Sequence, residues 1–293
     1  MARPNPVALA LALAAAATAA AAERPPIVGV SHIAFQVSDL ARARAFYADL
    51  LGYEELYRAG EAARPSRVGF LISGRQYVEI VPGLAAGRDE RLDHVAFETT
   101  DLASMRTYLE GKGVEVAEAT GDAAGDRVLR VKDPDGHPVE FVQHVSRARV
   151  EKAGAPNARR IAARLLHVGL TVADVAAADR FYKDLLGFSE IWRGGRSEAE
   201  TDWINMKVPD GTDYLEYMLV RGPVDRDRLG SLHHMALLVP DIQAALETVR
   251  ARPGGRDART VRTPQVGRNK RWQLNLFDPD GSRTELMEPF TMR

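Results

Sequence analysis

Four short apolar stretches of this chain share one pattern. They read SHIAFQV, DHVAFET, LHVGLTV and HHMALLV, and each carries a histidine at its second position. An aspartate follows that histidine at a distance of seven residues in every copy. The pairs are His32/Asp39, His94/Asp101, His167/Asp174 and His234/Asp241. The same order of residue types at four places indicates a fold built from four copies of one structural unit.

Each copy has the pattern of a strand followed by a helix. Aspartate is a favoured residue at a helix start because its carboxylate accepts hydrogen bonds from the unpaired N–H groups of the first turn. Helical patterns follow all four aspartates, and three of them stop at a glycine, namely Gly52, Gly111 and Gly187. Short alternating runs come next and are typical of strands. The sequence therefore predicts four βαβββ modules, at 28–83, 91–145, 164–220 and 231–289.

The last predicted strand of every module carries a glutamate among apolar neighbours. These residues, 46 to 51 positions after the histidines of their modules, are Glu79, Glu140, Glu216 and Glu285. A carboxylate in a buried strand is unfavourable unless it is paired or bound to a metal. Because strand side chains alternate between two faces, each histidine shares its face with the alanine or glycine two positions later. Two histidines and two glutamates on one sheet would form a site for a first-row divalent ion.

The modules pair into two halves. Modules one and three share FYADLLGY and FYKDLLGF, whereas modules two and four share the turn DPDG before their glutamates. A charged, alanine-rich stretch separates the second module from the third. We therefore predict an N-terminal domain at 27–146, a linker at 147–163 and a C-terminal domain at 164–290.

These motifs resemble those of the vicinal oxygen chelate superfamily, which includes glyoxalase I, extradiol dioxygenases and bleomycin-binding proteins. The segment from His167 to Phe188 is similar to the opening signature of glyoxalase I, and DPDGHPVE and DPDGSRTE are similar to its closing segment. The resemblance implies an α+β fold in which four βαβββ modules pair into two cupped mixed β-sheet domains. It also implies a divalent ion (Zn, Ni, Mn or Fe(II)) bound by the first and last strands of the modules. The implied ligands are His32, Glu79, His94 and Glu140 in one half, and His167, Glu216, His234 and Glu285 in the other.

Four further residues are candidates for binding a substrate. Asn205 and Asn275 each lie four residues before the proline of a PDG turn, where they could line the C-terminal cavity or hydrogen-bond a strand end. Arg58 and Arg193 occupy equal offsets from the histidines of modules one and three. They could hold a substrate carboxylate or lie at a solvated strand end.

The three histidines outside the repeat carry separate expectations. His233 has the opposite strand parity to His234 and is expected at an edge. His144 shares the parity of Glu140, which fits either a place beside the metal ligands or a place at the surface. His137 lies in a turn and is expected to face solvent.

The resemblance favours a glyoxalase I-like lyase or isomerase. In that chemistry the ion holds a carbonyl or enediolate oxygen as a Lewis acid, and a glutamate moves a proton on the adjacent carbon. Glu216 and Glu285 suit these roles, because one can bind the ion while the other acts as base. Gly83 and Val220 replace the asparagine that helps glyoxalase I to bind glutathione, so glutathione is not expected as cosubstrate.

Two alternatives stay open. An extradiol ring-cleaving dioxygenase using Fe(II) also has four modules, and His167, His234 and Glu285 match its iron ligands. However, Glu216 would fill a position that catechol and oxygen need, and NKRWQLNLFDPDG lacks the histidine that this family places before its last strand. The other alternative is a small-molecule binding or resistance protein without catalysis, although such relatives generally lack the metal ligands.

The C-terminal half is expected to carry the main reaction, and the N-terminal half to bind metal more weakly or to serve structurally. The C-terminal strands offer a polar lining of Asn205, Gln273 and Asn275. The corresponding N-terminal strands offer Gly69, Phe70, Leu129 and Arg130.

Composition excludes several classes of partner. A net charge of −1 gives no electrostatic basis for binding nucleic acid or an anionic membrane, so a small-molecule substrate is expected. The chain has no cysteine, which excludes disulfides and thiolate chemistry. Residues 1–22 have the layout of a signal peptide, with Arg3, an apolar run and an alanine-rich end. That run is too short for a membrane span, and we expect an exported protein, periplasmic or secreted.

Overall fold

The computed structural model describes residues 23–145, 157–222 and 231–290. The predicted signal peptide and most of the predicted linker lie outside these ranges. Within them the chain forms two curled, eight-stranded mixed sheets with few helices, one sheet for each half. This architecture confirms the α+β class with four βαβββ modules paired into two cupped domains. No helix in the described ranges is long and apolar enough to cross a membrane.

Modules one and two form the N-terminal sheet. Its strands are β1 (Ile27–Val37), β2 (Glu54–Glu61), β3 (Arg64–Leu71), β4 (Tyr77–Pro82), β5 (Leu92–Thr99), β6 (Thr120–Gly121), β7 (Arg127–Lys132) and β8 (Pro138–Gln143). Their order across the sheet is β2-β3-β4-β1-β5-β8-β7-β6. Helix α1 (Leu40–Arg44) continues as a π-helical segment (Ala45–Leu50), and α2 (Leu102–Gly111) follows β5.

Modules three and four form the C-terminal sheet with the same topology. Its strands are β9 (Leu165–Val172), β10 (Ser189–Gly194), β11 (Trp203–Lys207), β12 (Tyr214–Leu219), β13 (His234–Leu238), β14 (Gln265–Val266), β15 (Trp272–Phe277) and β16 (Arg283–Met287). Their order is β10-β11-β12-β9-β13-β16-β15-β14. Helix α3 (Val175–Ala178) also continues as a π-helical segment (Asp179–Leu185), and α4 (Ile242–Arg250) follows β13.

The repeated aspartates begin the four helices, as predicted. The carboxylate of each accepts a hydrogen bond from a backbone N–H of the first turn. Gly52 and Gly187 end the helical segments in the left-handed conformation, with φ of 80° and 78°. In module two, helix α2 includes Gly111, and the left-handed residue is Gly113 (φ 77°). The predicted glycine stop is therefore displaced by two residues in that module.

The centre of each sheet brings together the first and last strands of two modules. Ala34 of β1 pairs with Glu79 on one side and with His94 on the other. Gly169 of β9 lies in the same way between Glu216 and His234. Ala96 and Ala236 repeat this arrangement beside the remaining histidines and glutamates. The small residues therefore leave room over the sheet for the four larger side chains around them.

Two tyrosines connect the halves across their interface. Tyr47, in the π-helical segment after α1, donates a hydrogen bond to Asp278 in the DPDG turn of the opposite half, at 3.1 Å. Tyr182, after α3, donates to Asp133 in the DPDG turn of module two, at 3.0 Å. Apolar residues of both sheets and of the helices form one buried cluster. The two most specific sequence motifs thus meet each other between the halves.

Candidate metal centres

The four predicted ligands of the C-terminal half converge on one point above the sheet. Nε2 of His234 lies 3.1 Å from Nε2 of His167 and 3.3 Å from Oε2 of Glu216. The other distances between a histidine Nε2 and Oε2 of Glu216 or Glu285 are 3.8 to 3.9 Å. Atoms bound at about 2.0–2.2 Å to one ion lie about 3–3.5 Å from their neighbours. The set is therefore close to the spacing that one divalent ion requires.

Both histidines of this centre are held in the neutral form that metals bind. Burial lowers the pKa of His167 to about 3. Burial and the nearby Arg283 guanidinium together hold the pKa of His234 well below its ordinary value. Nδ1 of His234 lies 2.7 Å from Nη2 of Arg283 and 2.9 Å from the carbonyl oxygen of Leu232, so its contacts orient the ring with Nε2 facing the centre. The His167 ring stacks on Tyr214 with centroids 4.5 Å apart.

The two carboxylates of this centre have no cationic side chain paired with them among the described residues. Their ion-pair contacts in that part of the chain are with the two histidines alone. Burial raises the pKa of Glu285 to about 7; the nearby Arg283 guanidinium opposes this rise, and the charge of Glu216 adds to it. Arg283 contacts Nδ1 of His234 and not a carboxylate oxygen, so the acidic pair beside two neutral imidazoles is left without the directly bound positive charge that a divalent ion supplies. The residues of the C-terminal set therefore fit such an ion.

A cavity of about 310 Å³ lies over the C-terminal centre. Trp192 and Trp203 supply its aromatic lining, and Gln273 and Asn275 supply neutral polar groups. Oδ1 of Asn275 and Oδ1 of Asn205 are buried, and neither has a hydrogen-bond partner among the described residues. Asn205 pairs with Glu216, and the two amide oxygens are acceptors that a bound molecule can use. The predicted polar lining is present, with Asn275 in the cavity and Asn205 in the strand beside it.

The four predicted ligands of the N-terminal half also converge. Nε2 of His32 and Nε2 of His94 lie 2.8 Å apart, and Oε2 of Glu140 is 3.8 Å and 3.5 Å from them. Oε2 of Glu79 lies 3.8 Å from Nε2 of His94. The eight predicted ligands thus form two groups of four with nearly the same spacing.

The carboxylates of the N-terminal group, unlike those of the C-terminal group, are paired with arginines. Arg67 donates to Oε2 of Glu79, and Tyr57 donates to the other oxygen of that carboxylate. Nε of Arg130 donates to Oε1 of Glu140 at 3.0 Å. The cavity over this group measures about 150 Å³. The two halves therefore share a ligand geometry and differ in the charge around it.

Arg67 and Tyr57 were not among the residues that the sequence singled out. Arg130 was named from the sequence only as a strand residue, although the sequence does indicate that it lies opposite Glu140. It lies ten residues before Glu140 across a DPDG turn, and Asn275 lies ten residues before Glu285 across the same turn. Counting back through that hairpin would have placed an arginine opposite one glutamate and an asparagine opposite the other.

Arg58 and Arg193 lie away from both cavities. Nε of Arg58 donates to Glu55 at 2.9 Å, and Nε of Arg193 donates to Glu190 at 2.6 Å. Alternation along each strand turns the preceding aromatic residue inward and the arginine outward. Their placement leaves the carboxylate-binding interpretation without a geometric basis, because each guanidinium already has an acidic neighbour at the surface.

The predictions for the three other histidines need correction. His137 and His233 are buried (0% and 2% exposed) and not solvent-facing or at an edge. Nε2 of His137 lies 3.2 Å from Oγ1 of Thr171 across the interface between the halves. His233 lies 3.4 Å from that oxygen within its own half, and its ring contacts the His137 ring across the interface, with centroids 5.0 Å apart.

His144 is largely covered, with its Nδ1 2.7 Å from Asp126. Its Nε2 lies 3.4 Å from Oγ of Ser31, which in turn lies 3.1 Å from Nδ1 of the predicted ligand His32. Docking of the two halves covers His137 and His233, whereas His144 is covered by residues of its own half, and local sequence shows neither.

Comparison with known proteins identifies the family. Residues 29–141 and 164–286 match the family described as the Glyoxalase/Bleomycin resistance protein/Dioxygenase superfamily. The chain belongs to this superfamily, the vicinal oxygen chelate superfamily, as the motifs indicated. The match covers both halves and so accounts for the internal repeat.

Individual relatives have different activities. A manganese-dependent 2,3-dihydroxybiphenyl 1,2-dioxygenase from Geobacillus genomosp. 3 is 26% identical over 181 residues, which cover 55% of this chain and 54% of that protein. A putative lactoylglutathione lyase from Brassica oleracea var. gemmifera is 26% identical over 179 residues, 58% of each chain. The chain thus spans little more than half the length of these two curated relatives.

Solved structures agree on the fold. A variant of homoprotocatechuate 2,3-dioxygenase from B. fuscum superposes with a TM-score of 0.69 at 23% identity, over 91% of this chain and 72% of the other. The 2,3-dioxygenase LapB from Pseudomonas sp. KL28 gives a TM-score of 0.65 at 19% identity, over 91% and 93%. At these identities the likeness shows a shared fold.

Proposed function

We propose that this chain is a divalent-metal-dependent lyase or isomerase of the glyoxalase I type, with its active site in the C-terminal half. One observation carries the proposal: two neutral histidines and two largely covered carboxylates, which have no directly paired cationic side chain among the described residues, converge beneath the larger of the two cavities. An ion held there would act as a Lewis acid toward a substrate oxygen. The bacterial dioxygenase and the plant putative lyase named above both support a small-molecule substrate. The feature that their substrates share is a pair of oxygen atoms on adjacent carbons.

The carboxylates take different roles in this proposal. Oε2 of Glu216 lies closer to His234 than Oε2 of Glu285 does, at 3.3 Å against 3.9 Å, which suits Glu216 as a ligand. Glu285, with its pKa raised to about 7 by burial, is suited to take a proton from a carbon next to a carbonyl and return it to the neighbouring carbon. Asn275 and Gln273 orient the substrate, and Trp192 and Trp203 limit the access of water.

Ring cleavage of a catechol is the second candidate. The structural neighbours and the manganese-dependent relative favour it. His167, His234 and Glu285 supply three donors for that chemistry, and Glu216 is the residue that separates the two proposals. A lyase or isomerase needs both carboxylates, whereas an extradiol enzyme works with one. A binding protein without catalysis is the third candidate, and the two convergent sets of metal-type side chains argue against it.

Activity assays on the metal-loaded protein test the proposal. The protein is reconstituted separately with Zn, Ni, Mn and Fe(II), and supplied with α-ketoaldehyde hemithioacetals, α-hydroxyketones and catechols while oxygen uptake is recorded. We expect isomerisation without oxygen uptake, and a loss of about 10²–10⁴-fold in rate in Glu285→Gln. Glu140→Gln, the matched change in the other half, should keep most of the activity.

Four outcomes would contradict parts of this proposal. Equal losses in Glu285→Gln and Glu140→Gln would mean two working sites, and a loss confined to Glu140→Gln would move the reaction to the N-terminal half. Oxygen-dependent cleavage of catechols that survives Glu216→Ala would establish the dioxygenase instead. Absence of bound metal after every reconstitution would favour a binding protein.

A further inference from the structure

We infer that the N-terminal group is an arginine-neutralised counterpart of the metal centre, in which Arg67 and Arg130 supply the positive charge that an ion supplies in the other half. As a result it stays free of divalent metal under conditions that fill the C-terminal centre. The inference rests on the proposed function only in taking the C-terminal group as the metal site.

The contacts of the two arginines support this inference. Arg67 binds Oε2 of Glu79, which is the same oxygen that faces His94. A metal ion would have to displace the guanidinium from that oxygen. Arg130 reaches Oε1 of Glu140 through both Nε and Nη2. Each buried carboxylate is thus already compensated by a charged hydrogen bond.

The charge balance of the two groups differs accordingly. Arg67 and Arg130 each donate directly to a ligand carboxylate, and Arg67 also contacts Asp93 beside His94. An added divalent ion would lie within a few ångströms of both guanidinium groups. At such distances repulsion between like charges in a partly buried site is strong, and salt screens it poorly. In the C-terminal group the same ion would meet two carboxylates without a paired cation among the described residues.

The register of the sheets shows that these arginines occupy specific corresponding positions. Arg130 pairs with Glu140 in β7 and β8, and in β15 and β16 Asn275 pairs with Glu285. Glu79 pairs with Gly69, and Arg67 lies two residues before that glycine. In the C-terminal sheet Glu216 pairs with Asn205, and the residue two positions before it is Trp203. The ligands are the same in both halves, whereas these two neighbours change from cationic to neutral. The N-terminal group therefore does not fit an additional divalent ion, and serves as a paired polar centre of its sheet.

Counting bound metal tests the inference without any measurement of activity. The purified protein is stripped with a chelator, equilibrated with Mn²⁺ or Zn²⁺ at a concentration that saturates its tightest site, and analysed by mass spectrometry for metal per chain. We expect one ion in the wild type, none in His167→Ala, and two in Arg67→Gln/Arg130→Gln. Adding His94→Ala to the double arginine variant should return the count to one.

A matched control replaces two arginines that pair with glutamates elsewhere. Arg75 binds the buried Glu98 of the same sheet, and Arg106 binds exposed glutamates on α2 and beyond it. Arg75→Gln/Arg106→Gln should keep one ion. Two ions of affinity within about tenfold of each other in the wild type, or one ion remaining in His167→Ala, would overturn the inference. So would a folded Arg67→Gln/Arg130→Gln variant that still holds one ion.

The same counts separate this inference from the proposed function. If the C-terminal group binds no metal, the wild type gives zero ions and the proposed function fails, yet the double arginine variant would still gain one. If the protein holds one ion but shows no turnover with any substrate class, the proposed reaction fails and the inference stands.

Discussion

Small residues between the ligands decide whether the C-terminal centre can form. Gly169 lies between Glu216 and His234 in the sheet, and a Cβ atom on it would fall 2.0 Å from Cε1 of His234. The ring would have to move, and with it the Nε2 atom that faces the other donors. We therefore expect Gly169→Ala to weaken metal binding about 10–100-fold, the range seen when support of a ligand is lost.

Titration calorimetry with Mn²⁺ or Zn²⁺ measures this effect. Gly111→Ala is the matched control, because a Cβ there meets nothing within 4 Å, and its affinity should equal that of the wild type. Unchanged metal affinity in Gly169→Ala would show that His234 is not a ligand in the geometry described.

Asp278 is a residue whose burial makes stability depend on pH. Burial raises its pKa from 3.8 to about 6 in the folded chain. The folded state therefore holds this proton more tightly than the unfolded state, so the stabilisation is fully present below pH 3.8 and is lost as pH rises to 6. A shift of this size corresponds to a change of about 3 kcal/mol in the free energy of unfolding across that window.

Urea unfolding at a series of pH values from about 4 to 6.5 tests this effect. The free energy of unfolding of the wild type should fall with pH relative to that of Asp278→Asn, which has no carboxyl group to titrate. Asp184→Asn removes an exposed carboxyl group and should run parallel to the wild type. Parallel curves for the wild type and Asp278→Asn would contradict the raised pKa.

At the scale of elements, the π-helical segments after α1 and α3 aim a tyrosine at the opposite half. Extra residues in a helical turn are frequent at functional places, and here they direct Tyr47 and Tyr182 toward Asp278 and Asp133. Removing either hydroxyl leaves a buried carboxylate with one partner fewer. We expect Tyr47→Phe and Tyr182→Phe each to lower the free energy of unfolding by about 1–3 kcal/mol.

Tyr53 provides a control within the same chain. Its hydroxyl is buried and has no hydrogen-bond partner among the described contacts, so Tyr53→Phe should be neutral or slightly stabilising. The effects of Tyr47→Phe and Tyr182→Phe should add in the double variant because the two contacts share no partner. A cost in Tyr53→Phe equal to theirs would mean that the hydrogen bonds to aspartate contribute little.

At the scale of the whole molecule, the two halves share one buried apolar core. The buried apolar cluster contains residues of both sheets, and Gln76 exchanges two hydrogen bonds with the backbone of Leu165 across the interface, at 2.8 Å and 2.9 Å. Scanning calorimetry of the metal-free protein should therefore show one transition. Metal at 100 times its dissociation constant should stabilise the fold by about 2.7 kcal/mol and raise the Tm of that single transition.

Two separable transitions, with metal raising only the upper or only the lower one, would contradict this prediction. They would show that the halves unfold independently in spite of the shared cluster. The Tm of the metal-sensitive transition would then measure the stability of the C-terminal half alone.

The sequence by itself determined the repeat, the strand parity and the helix starts. The seven residues from His167 to Asp174 can be interpreted from the sequence, because side-chain alternation in a strand and capping of a helix each involve only a few neighbouring residues. The same reasoning placed four histidines and four glutamates on the inner faces of two sheets. That part of the candidate site was predictable because an internal repeat compares each position with its copies.

Only the tertiary structure decided which polar groups pair and which are covered. Arg67 reaches Glu79 through sheet register, and a one-residue change of register would turn it to the other face. His137 and His233 are buried because the halves dock there, which brings together their two rings and Thr171, all far apart in sequence. Burial and charge pairing depend on what the rest of the chain brings to a residue, whereas periodicity depends on its neighbours. For that reason the sequence shows two equal sets of ligands, and the fold makes them unequal.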